Sequence, residues 1–173
     1  MLSYLKLSSL LFMAVMWASC LGRPAAESYS FSGSVGSGSG TSFTSSGTGR
    51  ITAVRVWEVT GSYITGIQLR YGLIWAQRNG RTYNQAHEIE LFDGERIIQV
   101  SGKYHQSNYI YQLVFVTSRG RSLTVGQPTQ HSFNFYTNNP EAELIILSGR
   151  YNGNGITSLG AHWGVMPMNT TEA

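Results

Sequence analysis

Apolar and polar residues alternate with a period of two along most of this chain, the pattern of half-buried β-strands rather than helices. From Ile51 to Val59, Val54 and Val56 take one face while Ala53, Arg55 and Trp57 take the other. Ile67, Leu69 and Tyr71 oppose Gln68 and Arg70, and Ile89 and Leu91 oppose Glu88 and Glu90. Further on, Tyr109, Tyr111, Leu113 and Phe115 share a face. Turn signals separate these runs at Gly61-Ser62, Asn79-Gly80, Asp93-Gly94, Arg119-Gly120 and Asn138-Asn139-Pro140. About ten short strands punctuated this often predict an all-β sandwich, barrel or prism. No alternation of strands with helices and no heptad is present.

The two ends depart from this pattern. Lys6 precedes an apolar run from Leu7 to Trp17, broken only by Ser8 and Ser9, and Ser19, Cys20 and Gly22 supply small residues for cleavage. Residues 1–22 are therefore predicted to be a secretory signal peptide, since the run is shorter than the ~20 residues a spanning helix needs. No later segment is apolar enough to insert in a membrane. A short segment, 23–27, would lead into one domain at 28–166 and a polar tail at 167–173. Residues 24–49 are rich in Ser and Gly but hold Tyr29, Phe31, Val35 and Phe43, which predicts an ordered first strand and a glycine-rich loop rather than a linker. In the tail, Asn169-Thr170-Thr171 is a glycosylation sequon. The expected destination is extracellular.

Composition agrees with a β-rich domain that stands on its core. The one cysteine, Cys20, lies at the expected cleavage region, so no disulfide framework is available to the domain. Beyond Gly22 ten arginines and Lys103 face nine acidic residues, an excess of two that does not call for nucleic acid as a partner. Candidate catalytic patterns dissolve on inspection. Glu88, Glu90, Asp93 and Glu95 form an acidic cluster of the kind that could pair carboxylates for glycoside hydrolysis, but Glu88 and Glu90 alternate with Ile89 and Leu91, the mark of a solvent face. His87, His105, His131 and His162 have no metal-ligand spacing. Gly36-Ser37-Gly38-Ser39-Gly40 fits the letters of a nucleophile elbow, but no helix follows it. The sequence points to a protein with no catalysis, metal or cofactor.

The order of local motifs carries a more specific signal. Tyr29-Ser30-Phe31-Ser32-Gly33 is followed by Gly36-Ser37-Gly38-Ser39-Gly40, Ile51–Val56, Gly66–Gly72, Ile98–Tyr104, Leu113–Thr117 and Gly155–Trp163. In this order and spacing they resemble the jacalin-related lectins, above all the secreted zymogen-granule type, over residues 28 to 166. The resemblance implies a β-prism I: three four-stranded antiparallel Greek-key sheets about a pseudo-threefold axis. It also implies a metal-independent sugar site at one end, built from the N-terminal glycine loop, a mid-chain recognition loop and a C-terminal Gly-x-x-x-Asp loop. A route through secretory granules goes with it.

Carried onto this sequence, the site comprises Gly36, Gly38, Ser39 and Gly40; Lys103 and Tyr104; and Gly153, Asn154, Gly155, Ile156 and Thr157. On their own, the first glycines fit a turn or bulge as well as a ligand loop. Within the resemblance they let the backbone approach a sugar ring. Lys103 offers three donors, and Tyr104 offers a flat apolar face with a hydroxyl. Two departures matter. Ser39 stands where the family tends to have Gly, and Thr157 stands where it has Asp, in a loop one residue longer. A hydroxyl in place of the carboxylate should weaken neutral-sugar binding by ~1 to 3 kcal/mol. With Lys103 and Arg150 nearby, the expected ligands are glycans, mannose-type or, with the acid lost, sulfated, sialylated or uronic-acid forms. The alternative is a packaging protein of the secretory pathway, holding acidic glycans on a basic surface without a sugar pocket.

Overall fold

The computed structural model describes residues 29–166; the expected signal peptide, the 23–27 segment and the tail with Asn169 lie outside the described residues. Thirteen strands and no helix form the described chain. They are β1 (Tyr29–Gly36), β2 (Thr41–Ser45), β3 (Ile51–Glu58), β4 (Ile64–Tyr71), β5 (Ile74–Trp75), β6 (Asn79–Gly80), β7 (His87–Glu90), β8 (Ile97–Tyr104), β9 (Ile110–Thr117), β10 (Ser122–Gly126), β11 (His131–Tyr136), β12 (Glu143–Tyr151) and β13 (Ile156–Gly164).

The strands make three antiparallel sheets with one wiring. The second sheet runs β5-β4-β3-β7, with the two-residue β6 also on β4, and the third runs β10-β9-β8-β11. In both, a hairpin comes first; the next strand pairs with its second member and a later strand with its first. The first sheet, β1-β13-β12-β2, obeys the same rule if the chain is read as a ring: hairpin β12-β13, then β1 on β13, then β2 on β12. This repeated wiring is the pseudo-threefold of a β-prism I, with the ring cut inside the first sheet. The cut brings the two ends of the domain side by side, Tyr29 opposite Gly164.

Inward residues of all three sheets fuse into one core. Leu147, Leu159 and Trp163 from the first, Val54, Ile64, Ile67 and Leu69 from the second, and Val100, Leu113 and Phe115 from the third are buried together. Trp163 anchors β1 through its indole N–H, which donates to Ser32 Oγ at 2.9 Å. Tyr71 spans two sheets, donating its buried hydroxyl within reach of the Ser45 and Ile145 carbonyls. Burial pushes that phenol far above its ordinary range.

Three local readings need correction. On β9 the residue that enters the core is Ile110, not Tyr111, because the register slips between the Lys103 and Tyr104 pairings. Such a bulge adds one residue and moves the preceding ones to the other face. Asn79-Gly80 is not a hairpin turn: it is β6, pairing with Ile67 and Gly66, and Asn79 is buried. Its glycine is required because a Cβ at Gly80 would lie 2.3 Å from the Thr65 carbonyl. Finally, Ala53 and Trp57 on β3 are buried along with Val54 and Val56, so only Thr52, Arg55 and Glu58 keep partial exposure. Glu88 and Glu90 are on the outer side as expected, held by Arg55 and Arg70, but Glu95 is buried.

Candidate functional site

At one end of the prism the glycine loop lies against the β12-β13 loop. The chain leaves β1 at Gly36 with φ +106°, where a Cβ would sit 2.1 Å from the Thr157 carbonyl oxygen. That carbonyl accepts the Ser37 N–H at 2.9 Å. The loop re-enters the sheet at Gly40, where a Cβ would meet the Tyr151 carbonyl at 2.2 Å. Gly36 and Gly40 thus serve close backbone contact within the protein. Gly38, at φ +68° with nothing near its would-be Cβ, is the member that faces outward.

Two side chains fasten the loop. The Thr157 hydroxyl, buried in the protein, donates to the Ser39 carbonyl at 2.5 Å. Arg150, exposed, donates through Nη1 to the Gly40 carbonyl at 2.8 Å. Both bonds occupy carbonyl acceptors of the loop. The Ser37 and Ser39 hydroxyls, 3.1 Å apart, stay exposed.

The C-terminal loop is shaped by Asn152, whose Oδ1 accepts the N–H groups of Asn154 at 2.9 Å and Gly155 at 3.1 Å. This side-chain turn mimics a backbone turn and fixes the path of the loop. Gly153 and Asn154 are exposed at its tip, while Gly155 is buried against Tyr63 and Ile64 and Ile156 is a core residue. Ile156 contributes backbone here, and its side chain faces inward.

Lys103 and Tyr104 lie on the last two positions of β8 rather than on a loop. Lys103 Nζ donates to Ser132 Oγ on β11 at 2.8 Å. Tyr104 packs against the core beside His131 and Phe133. The loop that follows is a tight turn, with the His105 N–H on the Tyr109 carbonyl at 3.0 Å. Its contact with the C-terminal loop is made by Tyr109, whose hydroxyl accepts from Asn154 Nδ2 at 3.3 Å. Among the described residues, therefore, the glycine and C-terminal loops are joined directly, and the mid-chain loop is joined to them through Tyr109. Tyr63, from the β3-β4 loop, was not singled out by sequence. A tyrosine directly after the Gly61-Ser62 turn was the available signal.

No acidic residue occurs in residues 36–40, 105–109 or 152–157. Five arginines of the prism, Arg50, Arg55, Arg70, Arg96 and Arg121, are ion-paired with glutamates, whereas Lys103 and Arg150 have no such partner among the described residues. The rim of this end is therefore electropositive. Arg119 and Arg121, on the β9-β10 turn, are tied down instead: Arg121 to the buried Glu95, and Arg119 to the Asp93 carbonyl at 2.7 Å. The Arg121 guanidinium, with added bonds from Thr117 and the Phe92 N–H, holds the Glu95 carboxyl down at about 2. Among the described residues no group of three or more His, Cys, Asp or Glu gathers to hold a metal ion.

A three-sheet prism with glycine-shaped loops gathered at one end is the architecture of non-enzymatic lectins. Residues 32–162 match the Jacalin-like lectin domain, and the chain belongs to that family. Human zymogen granule membrane protein 16 is 42% identical over 164 residues, covering 92% of this chain and 96% of its own length. Rat prostatic spermine-binding protein is 31% identical over 116 residues, 66% of this chain and 40% of that protein. Among solved structures, a prostate-specific WGA16 glycoprotein lectin superposes with a TM-score of 0.69 at 32% identity, covering 78% of this chain and all of that one. Artocarpin complexed with methyl-α-mannose superposes at 0.67 with 18% identity, over 80% and 99% of the two chains, a likeness of fold.

Proposed function

We propose that this protein is a secreted, metal-independent lectin that binds glycans at the glycine-loop end, with a preference for glycans carrying sulfate, uronate or sialate over neutral mannose. The observation that carries this reading is the Thr157 bond to Ser39. At the position where the family pattern has a carboxylate acceptor for sugar hydroxyls, this chain has a buried donor spent on its own loop. The groups this end still offers are the backbone N–H donors of Gly38 and Gly153, the serine hydroxyls, and the Lys103 and Arg150 cations, which have no ion pair among the described residues. Donors and cations suit an anionic substituent, and a neutral polyol would lack a strong acceptor. Lys103 and Tyr104 on β8 border this end, and Gly36, Gly40, Gly155, Ile156 and Thr157 shape it from within.

Artocarpin, which shares the fold, is complexed with methyl-α-mannose, which supports a glycan as the class of ligand, and the zymogen-granule relatives support passage through the secretory pathway. The test is a glycan-array profile of the mature chain at low and high salt, beside Arg150→Ala and Lys103→Ala. Acidic or sulfated hits that fade with salt and drop in Arg150→Ala are expected, with no response to a chelator. Neutral hits indifferent to salt and to both substitutions would overturn the anionic preference. Binding that tracks polyanion length with no preferred ring would replace the pocket by a basic surface. Secretion is tested by expressing the full chain with and without residues 1–22; retention of neither form in the medium would refute it.

A further inference from the structure

The chain holds three Asn-Gly pairs, Asn79-Gly80, Asn152-Gly153 and Asn154-Gly155. At such a pair the backbone nitrogen of the glycine attacks the asparagine side chain most readily, because no Cβ stands beside it to obstruct the approach. Whether the attack proceeds depends on how the fold holds each pair, and these are held differently. Asn79 is buried on β6, where a Cβ on Gly80 would meet the Thr65 carbonyl. Asn154 is exposed, but its Nδ2 is engaged by the Tyr109 hydroxyl and the Gly155 N–H is spent on Asn152 Oδ1. Gly155 itself lies against the ring of Tyr63, which stacks on Tyr109 with centroids 4.2 Å apart. Neither pair has a free glycine nitrogen in mobile surroundings.

Asn152 differs on each count. Gly153 is exposed with open space around it, and its N–H has no hydrogen-bond partner among the described residues. Asn152 Nδ2, the group that must leave, is likewise without a partner among them, while Oδ1 accepts the Asn154 N–H at 2.9 Å and the Gly155 N–H at 3.1 Å. Those donors are what the reaction asks for. Attack of the Gly153 nitrogen on Asn152 Cγ makes a tetrahedral centre whose negative charge falls on Oδ1. Backbone N–H groups at about 2.7 to 3.1 Å from such an oxygen stabilise it without reorganising.

We propose that Asn152 is a self-modification site: the C-terminal loop forms an oxyanion hole for the conversion of its own asparagine to aspartate and isoaspartate, which sets a carboxylate into the glycan site. Solvent hydroxide takes the Gly153 amide proton, the new N–Cγ bond closes a cyclic imide, and the Cγ–Nδ2 bond breaks as ammonia leaves with a proton from water. Water then opens the imide. Addition at Cγ restores the main chain with an aspartate side chain, and addition at the Asn152 main-chain carbonyl leaves isoaspartate. The net change is water in and ammonia out, with no electron transferred. The consequence for binding rests on the glycan-binding reading above and deepens it. Residues 36–40, 105–109 and 152–157 contain no acid, so conversion supplies the first carboxylate of this rim. A carboxylate accepts from sugar hydroxyls and repels sulfate, uronate or sialate. The preferred ligand thus moves from anionic toward neutral glycans as the molecule ages.

The test incubates the purified protein at mildly alkaline pH, folded in buffer and unfolded in urea, and follows each asparagine by peptide mapping with mass spectrometry. In the folded protein Asn152 is expected to convert about tenfold faster than it does in urea, where the loop and its donors are gone. Asn154 and Asn79 should instead convert more slowly folded than unfolded. Gly153→Ala, whose Cβ crowds the attacking nitrogen, should remove the folded-state acceleration at Asn152. Conversion at Asn152 no faster than in urea, a lead by Asn154 or Asn79, or an acceleration that survives in Gly153→Ala would overturn the proposal. The effect on binding is read by titrating fresh protein, aged protein and Asn152→Asp with methyl glucuronide and with methyl α-mannoside. Affinity for the glucuronide should fall about tenfold, and affinity for the mannoside should rise. Unchanged affinities in converted protein would overturn the shift in ligand while the modification stands. No binding of either probe by any form would remove the lectin reading, and the mapping would still decide the modification.

Discussion

Thr157 shows how one side-chain hydroxyl can fasten a loop. Its hydroxyl is buried and bonded to Ser39, so replacing it with valine removes the donor and leaves a carbonyl unpartnered. Thr157→Val should lower stability by about 1 to 2 kcal/mol in urea unfolding. It should also loosen the glycine loop, seen as faster amide exchange at Gly38 and Ser39. Two glutamates make opposite pH predictions. The Glu95 carboxyl is held at about 2 against an ordinary 4.5, so its contribution is complete above 4.5 and is lost as pH falls toward 2. Thermal melts should decline through that window, and Glu95→Gln should flatten the decline. Glu143 titrates the other way: burial outweighs its Arg50 pair and raises its carboxyl. Its proton is held more tightly in the folded state, so its contribution is greatest below 4.5 and is lost as pH rises past its folded value. Glu143→Gln should accordingly be neutral or stabilising at pH 7, whereas Arg50→Ala, which strands the buried carboxylate, should cost about 3 kcal/mol.

At the level of strands and loops, glycines divide into those the fold requires and those it tolerates. A Cβ at Gly102 on β8 would sit 1.9 Å from the Gln112 carbonyl of β9, backbone that cannot yield without parting the hairpin. Gly102→Ala should destabilise by about 3 kcal/mol or more. Gly153, at the tip of the C-terminal loop, has open space around it and an ordinary backbone angle, so Gly153→Ala should leave the melting temperature unchanged. Strand existence was readable wherever the alternation was plain, as in Ile67, Leu69 and Tyr71. Register was not, because the β8-β9 slip that puts Ile110 rather than Tyr111 inside depends on pairing between strands. The position of Asn79-Gly80 was hidden for a like reason: its letters fit a turn, and only the neighbouring β4 makes it a strand. In the candidate site, the glycines and Thr157 could be named from the sequence as an expectation, and the structure brings the two loops that carry them into contact. Tyr63 could not be, since its partners Tyr109 and Gly155 are 46 and 92 residues away by their numbers.

The whole molecule is a ring of three like sheets opened at one place, and this has a consequence for how the chain acquires its shape. Strands β1 and β2 have no partners until β12 and β13 are made, and the pairs they form join residues more than 100 apart, such as Ser45 with Leu147 and Gly36 with Ser158. The first sheet is therefore closed by the longest-range contacts in the protein, the kind that slow folding. With Tyr29 opposite Gly164, a short peptide would join the two ends, and the ring could be reopened after Asn138, in an exposed connection between β11 and β12. Such a circular permutant would make all three sheets in consecutive stretches of chain. It should refold faster than the natural order in stopped-flow dilution from urea at comparable stability, and refolding at an unchanged rate would show that closure of the first sheet is not what limits the natural chain.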